Sequence, residues 1–575
     1  MFLRRTLAIL TLIGGMSLFI PESRSLLSAA DTEAEMKAER KAARLKKLLE
    51  LRKSEEVKKP EEIKKPAESK VVEQPKPVVP AKAQDVQGLT KLIDLHINKN
   101  LTAAKLTPSE KTSDAEFLRR VALDITGVTP SLEQTKAFLE STDPLKRAKW
   151  IDELLASSNY SQHQADIWTG LMYPIDSDNR FVNKEPLTKW LKESFHANKP
   201  WNTMVNEIVV ATGDQDTHGE VTYYMANRGV DKMTDSIGKL FLGIQLQCAQ
   251  CHNHPFTSWK QNEYWGMAQF FYKVSATVNR PNKGKEVESA VVEKNSPNRK
   301  MNPVPESAKT VNPKFLGGSE VKLNSSEPYR PVLAKWLTSA DNSYFGKAMV
   351  NRTWAMFLGK GFVNPVDDML DENEPSHPEL LKALTGEFIA SGFDLKHLIR
   401  GICNSEVYQR SSKPTEANKD DKVLFSHQAV KTLSPEQLYD SITSVIGSQQ
   451  ESGKGGGKGA FAPKGGPVTP RDRFVSFFLP GENAKATEYD AGIPQVLRLM
   501  NAQRLNSSAT LMKELARLKP EEAIEKLYMK VLSRRPTSAE VTRMKEYATK
   551  QSDNATAYAD ILWVLLNGSE FALNR

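Results

Sequence analysis

From about residue 88 onward, apolar residues recur at intervals of three and four, the spacing of a helix with one buried face. Phe117, Leu118, Val121, Ala122 and Ile125 follow Ser113-x-x-Glu116, which predicts a capping box opening a helix that the Gly127/Pro130 turn stops. Asp143-Pro144 predicts the start of another, with Trp150, Ile151, Leu154 and Leu155 on its inner face. Proline costs nothing at a first helical position, because the N–H it lacks would be unpaired there anyway. Residues 187–195, 201–210 and 231–246 continue the helical pattern, and strand-like alternation is scarce. Residues 275–327 break it with Pro, Asn, Lys and Ser, leaving β-leaning pieces only at 291–292 and 321–323. The helical period resumes near residue 328 and runs to 575, interrupted at 452–467 by a Gly/Lys loop. The predicted fold is mostly α: two helical domains, 88–274 and 328–575, joined by an irregular, partly β segment at 275–327.

The N-terminal end follows different rules. Arg4 and Arg5 precede an apolar run from Leu7 to Ile20, the length of a signal-peptide core and short for a membrane span. Residues 1–30 are therefore expected to be a signal peptide, with small residues at Ser28, Ala29 and Ala30 for cleavage, or an uncleaved N-terminal anchor. Residues 31–87 alternate Lys with Glu and hold five prolines between Pro60 and Pro80; residues 31–86 lack Gly, Phe, Trp and Tyr. Such a segment cannot bury enough apolar area to offset its ordering entropy, so a disordered charged stalk is expected. The implied location is periplasmic or cell-surface, with membrane tethering only through the N-terminal segment.

Charge then narrows the partners. The net charge of +9 is accounted for by residues 1–30 (+2), 31–86 (+3) and 275–326 (+4), so the two helical regions are neutral together and no basic face points to nucleic acid. The Gly/Lys loop contains no GxxxxGK[ST], so it does not predict a nucleotide site.

Two of the three cysteines lie in Gln247-Cys248-Ala249-Gln250-Cys251-His252-Asn253-His254-Pro255-Phe256. CxxCH is the spacing that lets two thiols add to the two vinyl groups of one haem while the adjoining imidazole ligates iron. Attachment of haem c follows export, which the N-terminal segment independently predicts. Cys248 and Cys251 are then the anchoring residues, His252 the proximal iron ligand and His254 a hydrogen-bonding residue in support. The sixth position is open: Met267, His163, Met172 and His218 are candidates without distinguishing spacing. The same pair could instead form a disulfide, serve redox exchange, or bind zinc with the histidines. Function follows the cofactor. With haem, the expectation is electron transfer or a redox reaction on an extracellular substrate, with exported redox or cell-surface proteins as partners; without it, a cell-surface binding or scaffold protein with a disulfide or structural metal clip.

The remaining candidates are weaker chemistry. Cys403 sits among Leu395, Leu398, Ile399 and Ile402, as a buried free thiol would. Asp176 and Asp178, and Asp367, Asp368, Asp371 and Glu372, are carboxylate clusters suited to a cation or acid–base work, although turns and helix caps use the same residues.

Phe241-Leu-Gly-Ile-Gln-Leu-Gln-Cys-Ala-Gln-Cys-His-Asn-His-Pro-Phe-Thr-Ser-Trp and Tyr264-Trp-Gly-Met-Ala-Gln-Phe-Phe resemble the signature of the planctomycete cytochrome-c-like proteins, in which a cytochrome-c-related domain of unknown function precedes a second one. Arg119-Arg-Val-Ala-Leu-Asp-Ile-Thr-Gly-Val-Thr-Pro, Ala197-Asn-Lys-Pro-Trp and Ala211-Thr-Gly-Asp are similar too. The second domain is resembled by Asn351-Arg-Thr-Trp-Ala-Met-Phe-Leu-Gly-Lys-Gly, Pro375-Ser-His-Pro-Glu-Leu-Leu, Ser434-Pro-Glu-Gln-Leu-Tyr-Asp and Leu532-Ser-Arg-Arg-Pro-Thr. The resemblance implies an exported, largely helical two-domain protein whose CxxCH is Cys248, Cys251 and His252. It supplies no activity, and it does not extend to the separate N-terminal cytochrome module of some relatives.

Overall fold

In the computed structural model the chain divides into two units, Met1–Val72 and Glu73–Arg575. The residues described are 76–174, 182–253, 259–277, 289–294, 305–370, 372–447, 469–478, 497, 499–502 and 507–575, all within the second unit. The predicted signal segment, residues 31–75 of the stalk and the 452–467 loop therefore lie outside them; residues 76–87, expected to belong to the disordered stalk, are instead held against the fold, with the Gln84 N–H donating to the Glu387 carboxylate (2.8 Å) and Asp85 capping the helix Val86–Ala103. Among the described residues no helix is long and apolar enough to cross a membrane.

The second unit is mostly helical, as the periodicity predicts. Its centre is the helix Asp114–Thr126 (α1). The Ser113 hydroxyl accepts from the Glu116 N–H at 3.2 Å, and Gly127, at φ +71°, closes the far end by donating to the Leu123 carbonyl. Any side chain at Gly127 would be strained in that backbone region, and its Cβ would lie 2.6 Å from Nδ1 of His163.

The predicted capping box is only half made, and burial explains why. Arg119 and Arg120 of α1 are buried, and a buried guanidinium must find acceptors. Arg119 donates to the carbonyls of Val531 (3.1 Å) and Phe571 (2.8 Å). Arg120 donates to those of Tyr408 (2.8 Å), Arg410 (3.0 Å) and Arg575 (2.5 Å), and to the Glu116 carboxylate. Glu116 is thus turned toward Arg120 and the Ser412 N–H (2.9 Å) instead of back to the cap. One turn further on, buried Asp124 accepts from the Tyr408 hydroxyl (2.8 Å), Lys431 Nζ (2.6 Å) and Asn574 Nδ2 (2.6 Å). A helix from the first half of the sequence therefore collects the last residues of the chain.

The irregular segment is woven into the same unit. Its predicted β piece at 291–292 is real: Ala290–Glu293 is the central strand of a three-stranded antiparallel sheet, between Gly213–Asp214 and Val274–Thr277. The piece at 321–323 is not a strand; it follows a turn at 316–318 that is closed by the backbone bridge between Lys314 and Glu320 and by the Val321 N–H given to the Pro313 carbonyl. Glu293 leaves the sheet to meet Arg330 (Nε to Oε2, 2.9 Å), which also donates to the carbonyls of Val209 and Ala211 and lies 4.7 Å from the Tyr224 ring centre. Both charged side chains are buried, so each needs the other.

Two further boundaries shift. The helix expected from Asp143-Pro144 begins only at Lys146 (Lys146–Ala156), because the Asp143 carboxylate accepts from the Leu145 N–H and makes a turn first. The helix expected over 231–246 stops early: Val230–Ile237 (α2) runs into one wide turn, Gly238–Leu242, and Gly243 at φ +68° ends it. One apolar core extends from Leu89 to Phe425, with Trp168 and Trp201 in contact at 4.4 Å between ring centres.

Candidate functional site

The early end of α2 is what brings the cysteines to the surface. After Gly243, Ile244 and Leu246 are buried, and residues Gln247–Gln250 form a 3₁₀ turn. Cys248 lies inside this turn and Cys251 is the residue that closes it. Both are exposed and unbridged, while Ala249 between them is fully buried and its N–H is held by the Leu246 carbonyl at 2.8 Å. The turn is pinned from below and presents its sulfurs outward.

A second element fixes the exit of the turn. On the helix Gln261–Ala268 (α3), Trp265 Nε1 donates to the Gln250 carbonyl (3.0 Å), and Gln261 Nε2 donates to the carbonyls of Gln250 (3.1 Å) and Cys251 (2.9 Å). The Gln261 N–H also donates to Asn253 Oδ1 (3.0 Å). His252 is exposed, and its Nδ1 lies 2.7 Å from the Asn253 carbonyl. With Nδ1–H donating there, Nε2 is left with its lone pair outward, the tautomer a metal-binding imidazole requires.

Beneath the turn lie ionisable groups with no signature in the motif itself. Tyr264 of α3 is buried beside Cys251, and its hydroxyl reaches toward the Asp231 carbonyl (3.4 Å) and the Asp235 carboxyl. Burial, with the Asp235 and Asp231 charges added, holds the Tyr264 phenol firmly protonated. Burial pushes the Asp235 carboxyl up to about 6, with Lys239 opposing. The pair Asp231/Asp235 was detectable as carboxylates four apart on one helix; Gln261 carries no such signal, since a surface glutamine is ordinary.

The other candidates are distributed through the fold. Met267 and Met172 are fully buried in the apolar core. His163 is buried under Gly127, near Asp440 and Arg471, and burial lowers it to about 4. His218 is exposed, 3.6 Å from Glu220. His254, Asp176, Asp178 and Asp371 lie outside the described residues. Asp367 accepts from Gln245 Nε2 at 3.1 Å, Asp368 accepts from Asn373 Nδ2, and Glu372 is exposed. Cys403 is fully buried, which drives its thiol well up. Among the described residues, no three His, Cys, Asp or Glu side chains converge to hold a metal ion.

Residues 92–276 match the family model PSCyt2, described as a protein of unknown function (DUF1549), and residues 329–490 match PSD1, likewise of unknown function (DUF1553). The chain carries these two domains in succession. No curated protein and no solved structure matches it. The two domain names are those of the planctomycete cytochrome-c-like architecture. The cysteine turn lies within the PSCyt2 match and Asp367 within the PSD1 match, so the Gln245–Asp367 hydrogen bond joins the two domains.

The described residues fit a haem of the c type in their donor chemistry. Two thiols are exposed and unbridged, and the adjoining imidazole has Nδ1 hydrogen-bonded to backbone. A cleft of about 360 Å³ near α3, lined by Asn262, Asn312, Lys314 and Glu320 among others, is polar and includes none of the three residues.

Proposed function

We propose that the PSCyt2 domain is an exported c-type haem module and that the protein works in electron transfer or in a redox reaction on an extracellular substrate. When bound, the haem would supply a one-electron couple at iron. Cys248 and Cys251 would hold it through thioethers and His252 would ligate the iron. The observation that carries this reading is the motif as folded: two exposed, unbridged thiols three positions apart, beside an imidazole whose Nδ1 is occupied by the Asn253 carbonyl at 2.7 Å.

This chain's own residues do the preparing. Gln261 and Trp265 hold the Gln250 and Cys251 carbonyls, so the backbone between the sulfurs is set by α3 before any group is attached. Ala249, buried in the apolar core between the two cysteines, anchors that backbone. Tyr264, kept protonated, places no charge beside Cys251. The N-terminal apolar run and the charged segment after it favour attachment outside the cytoplasm, in a periplasmic or cell-surface setting.

Expression with a haem-attachment system provides the test. A Soret band, a pyridine haemochrome of the c type and loss of covalently retained haem in Cys251→Ser are expected. A colourless protein carrying one zinc per chain sinks the proposal.

A further inference from the structure

We infer that Asp367, Arg352 and Met369 of the PSD1 domain are positioning residues for the cysteine turn of the PSCyt2 domain. The stretch from Gly238 to Leu246 that delivers the cysteine turn begins with the wide turn Gly238–Leu242 and runs on, without helix, to the 3₁₀ turn at Gln247, so it lacks the continuous ladder of a regular helix. Its local backbone bonds include Ile244 N–H to the Gly238 carbonyl (2.9 Å) and Ala249 N–H to the Leu246 carbonyl (2.8 Å). Three contacts from the other domain supplement them. Arg352 Nη2 donates to the Lys239 carbonyl at 3.1 Å, the Met369 N–H donates to the Gly243 carbonyl at 2.9 Å, and Gln245 Nε2 donates to Asp367 Oδ1 at 3.1 Å.

These contacts fall at residues 239, 243 and 245, in step along the approach to Cys248. The fit is close as well as polar. At Gly243, whose φ of +68° favours glycine, a Cβ would stand 3.1 Å from Met369 Sδ and 3.3 Å from the Ala348 Cβ. Met369 is buried, and so is Arg352, which is anchored on the helix Phe345–Leu358 with its charge facing Asp367. Asp367, read from the sequence as part of an acidic cluster, thus serves as the acceptor that fixes Gln245, three residues before Cys248. The PSD1 domain is in this respect part of the site: what binds or strains the loop around Asp367 is transmitted to the two sulfurs. This goes beyond the haem reading and holds whichever group the thiols carry.

Hydrogen exchange on the full chain, purified alike for each variant, decides it. Asp367→Ala is expected to speed exchange at the Ile244 and Ala249 amides about tenfold while leaving α1 at its wild-type rate. Asp367→Asn keeps an oxygen for Gln245 and is expected to restore protection to within about twofold. Gln245→Ala removes the same hydrogen bond from its other end and should match Asp367→Ala, with the double variant no faster than either single one. Wild-type rates at Ile244 and Ala249 in both alanine variants, or acceleration of α1 in equal proportion, would overturn the inference. Covalent haem yield, measured in parallel, separates the two proposals: a wild-type chain without haem refutes the haem reading and leaves the exchange result to judge this one.

Discussion

Two polar regions of this molecule are built on opposite terms. Around α1, charges are buried and, apart from the Arg120–Glu116 pair within the helix, their contacts are long-range: Arg119, Arg120 and Asp124 take partners from the stretch 408–431 and from the last fifty residues of the chain. At the turn of residues 247–253 the reactive groups are exposed, and the hydrogen bonds that hold them run from α3 to backbone carbonyls, not to the sulfurs or to His252 Nε2. The contrast separates structural polarity from chemical polarity. A satisfied, dry group stabilises one fold; a group whose backbone is fixed while its reacting atom stays free can do chemistry.

The comparison is broken most severely at Arg120. Arg120→Ala strands the Glu116 carboxylate and the carbonyls of Tyr408 and Arg410, and should cost about 3–5 kcal/mol in urea unfolding. A loss below about 1 kcal/mol would mean that α1 is not the hub described here.

Asp124→Ala comes next. It removes the acceptor shared by Tyr408, Lys431 and Asn574 and should cost about 2–4 kcal/mol, with the region around Asn574 exchanging faster. Unaltered exchange there would detach the C-terminus from this network.

Beneath the cysteine turn the expected sign reverses. The Asp235 carboxyl is raised to about 6 in the fold, so the native state holds its proton more tightly than the unfolded chain. This contribution is favourable below the ordinary value of 3.8 and is lost as pH rises toward 6. Asp235→Asn should therefore raise stability at pH 7 by about 1–3 kcal/mol and flatten the pH dependence between about 4 and 6. Thermal melts across that range test it, and a destabilised variant at pH 7 would show that the carboxylate has a partner that stabilises it.

The smallest expected effect is on stability at the sulfurs themselves. Cys248→Ser and Cys251→Ser alter exposed side chains and should change unfolding free energy by no more than about 0.5 kcal/mol in the haem-free chain. A cost above about 2 kcal/mol would assign the pair to the fold and favour a clip over a cofactor anchor.

Much of this was legible along the chain. Ser113 and Gly127 delimit α1 because a hydroxyl cap and a left-handed closing residue act within one turn. The strand at 291–292 was marked by its paired valines, and the CxxCH by its spacing. The capping box is half made because Arg120 has the stronger claim on Glu116, and the burial of Arg120 depends on residues nearly three hundred positions away. The apolar spacing over 231–246 continues past Gly243, but the helix does not, because Gly243 takes a left-handed conformation and gives its carbonyl to the Met369 N–H.

Sequence alone determined the helical character, the element ends governed by neighbouring residues, and the presence of two thiols and an imidazole at a spacing that suits haem. Tertiary structure alone decided that the thiols face outward, that His252 Nδ1 is occupied, that Gln261 and Trp265 hold the turn, and that the PSD1 domain reaches the approach to Cys248. The division follows from range. Caps and periodicity are set by energies between residues a few positions apart, whereas burial and the partners of buried charges depend on segments that meet only after the chain has folded.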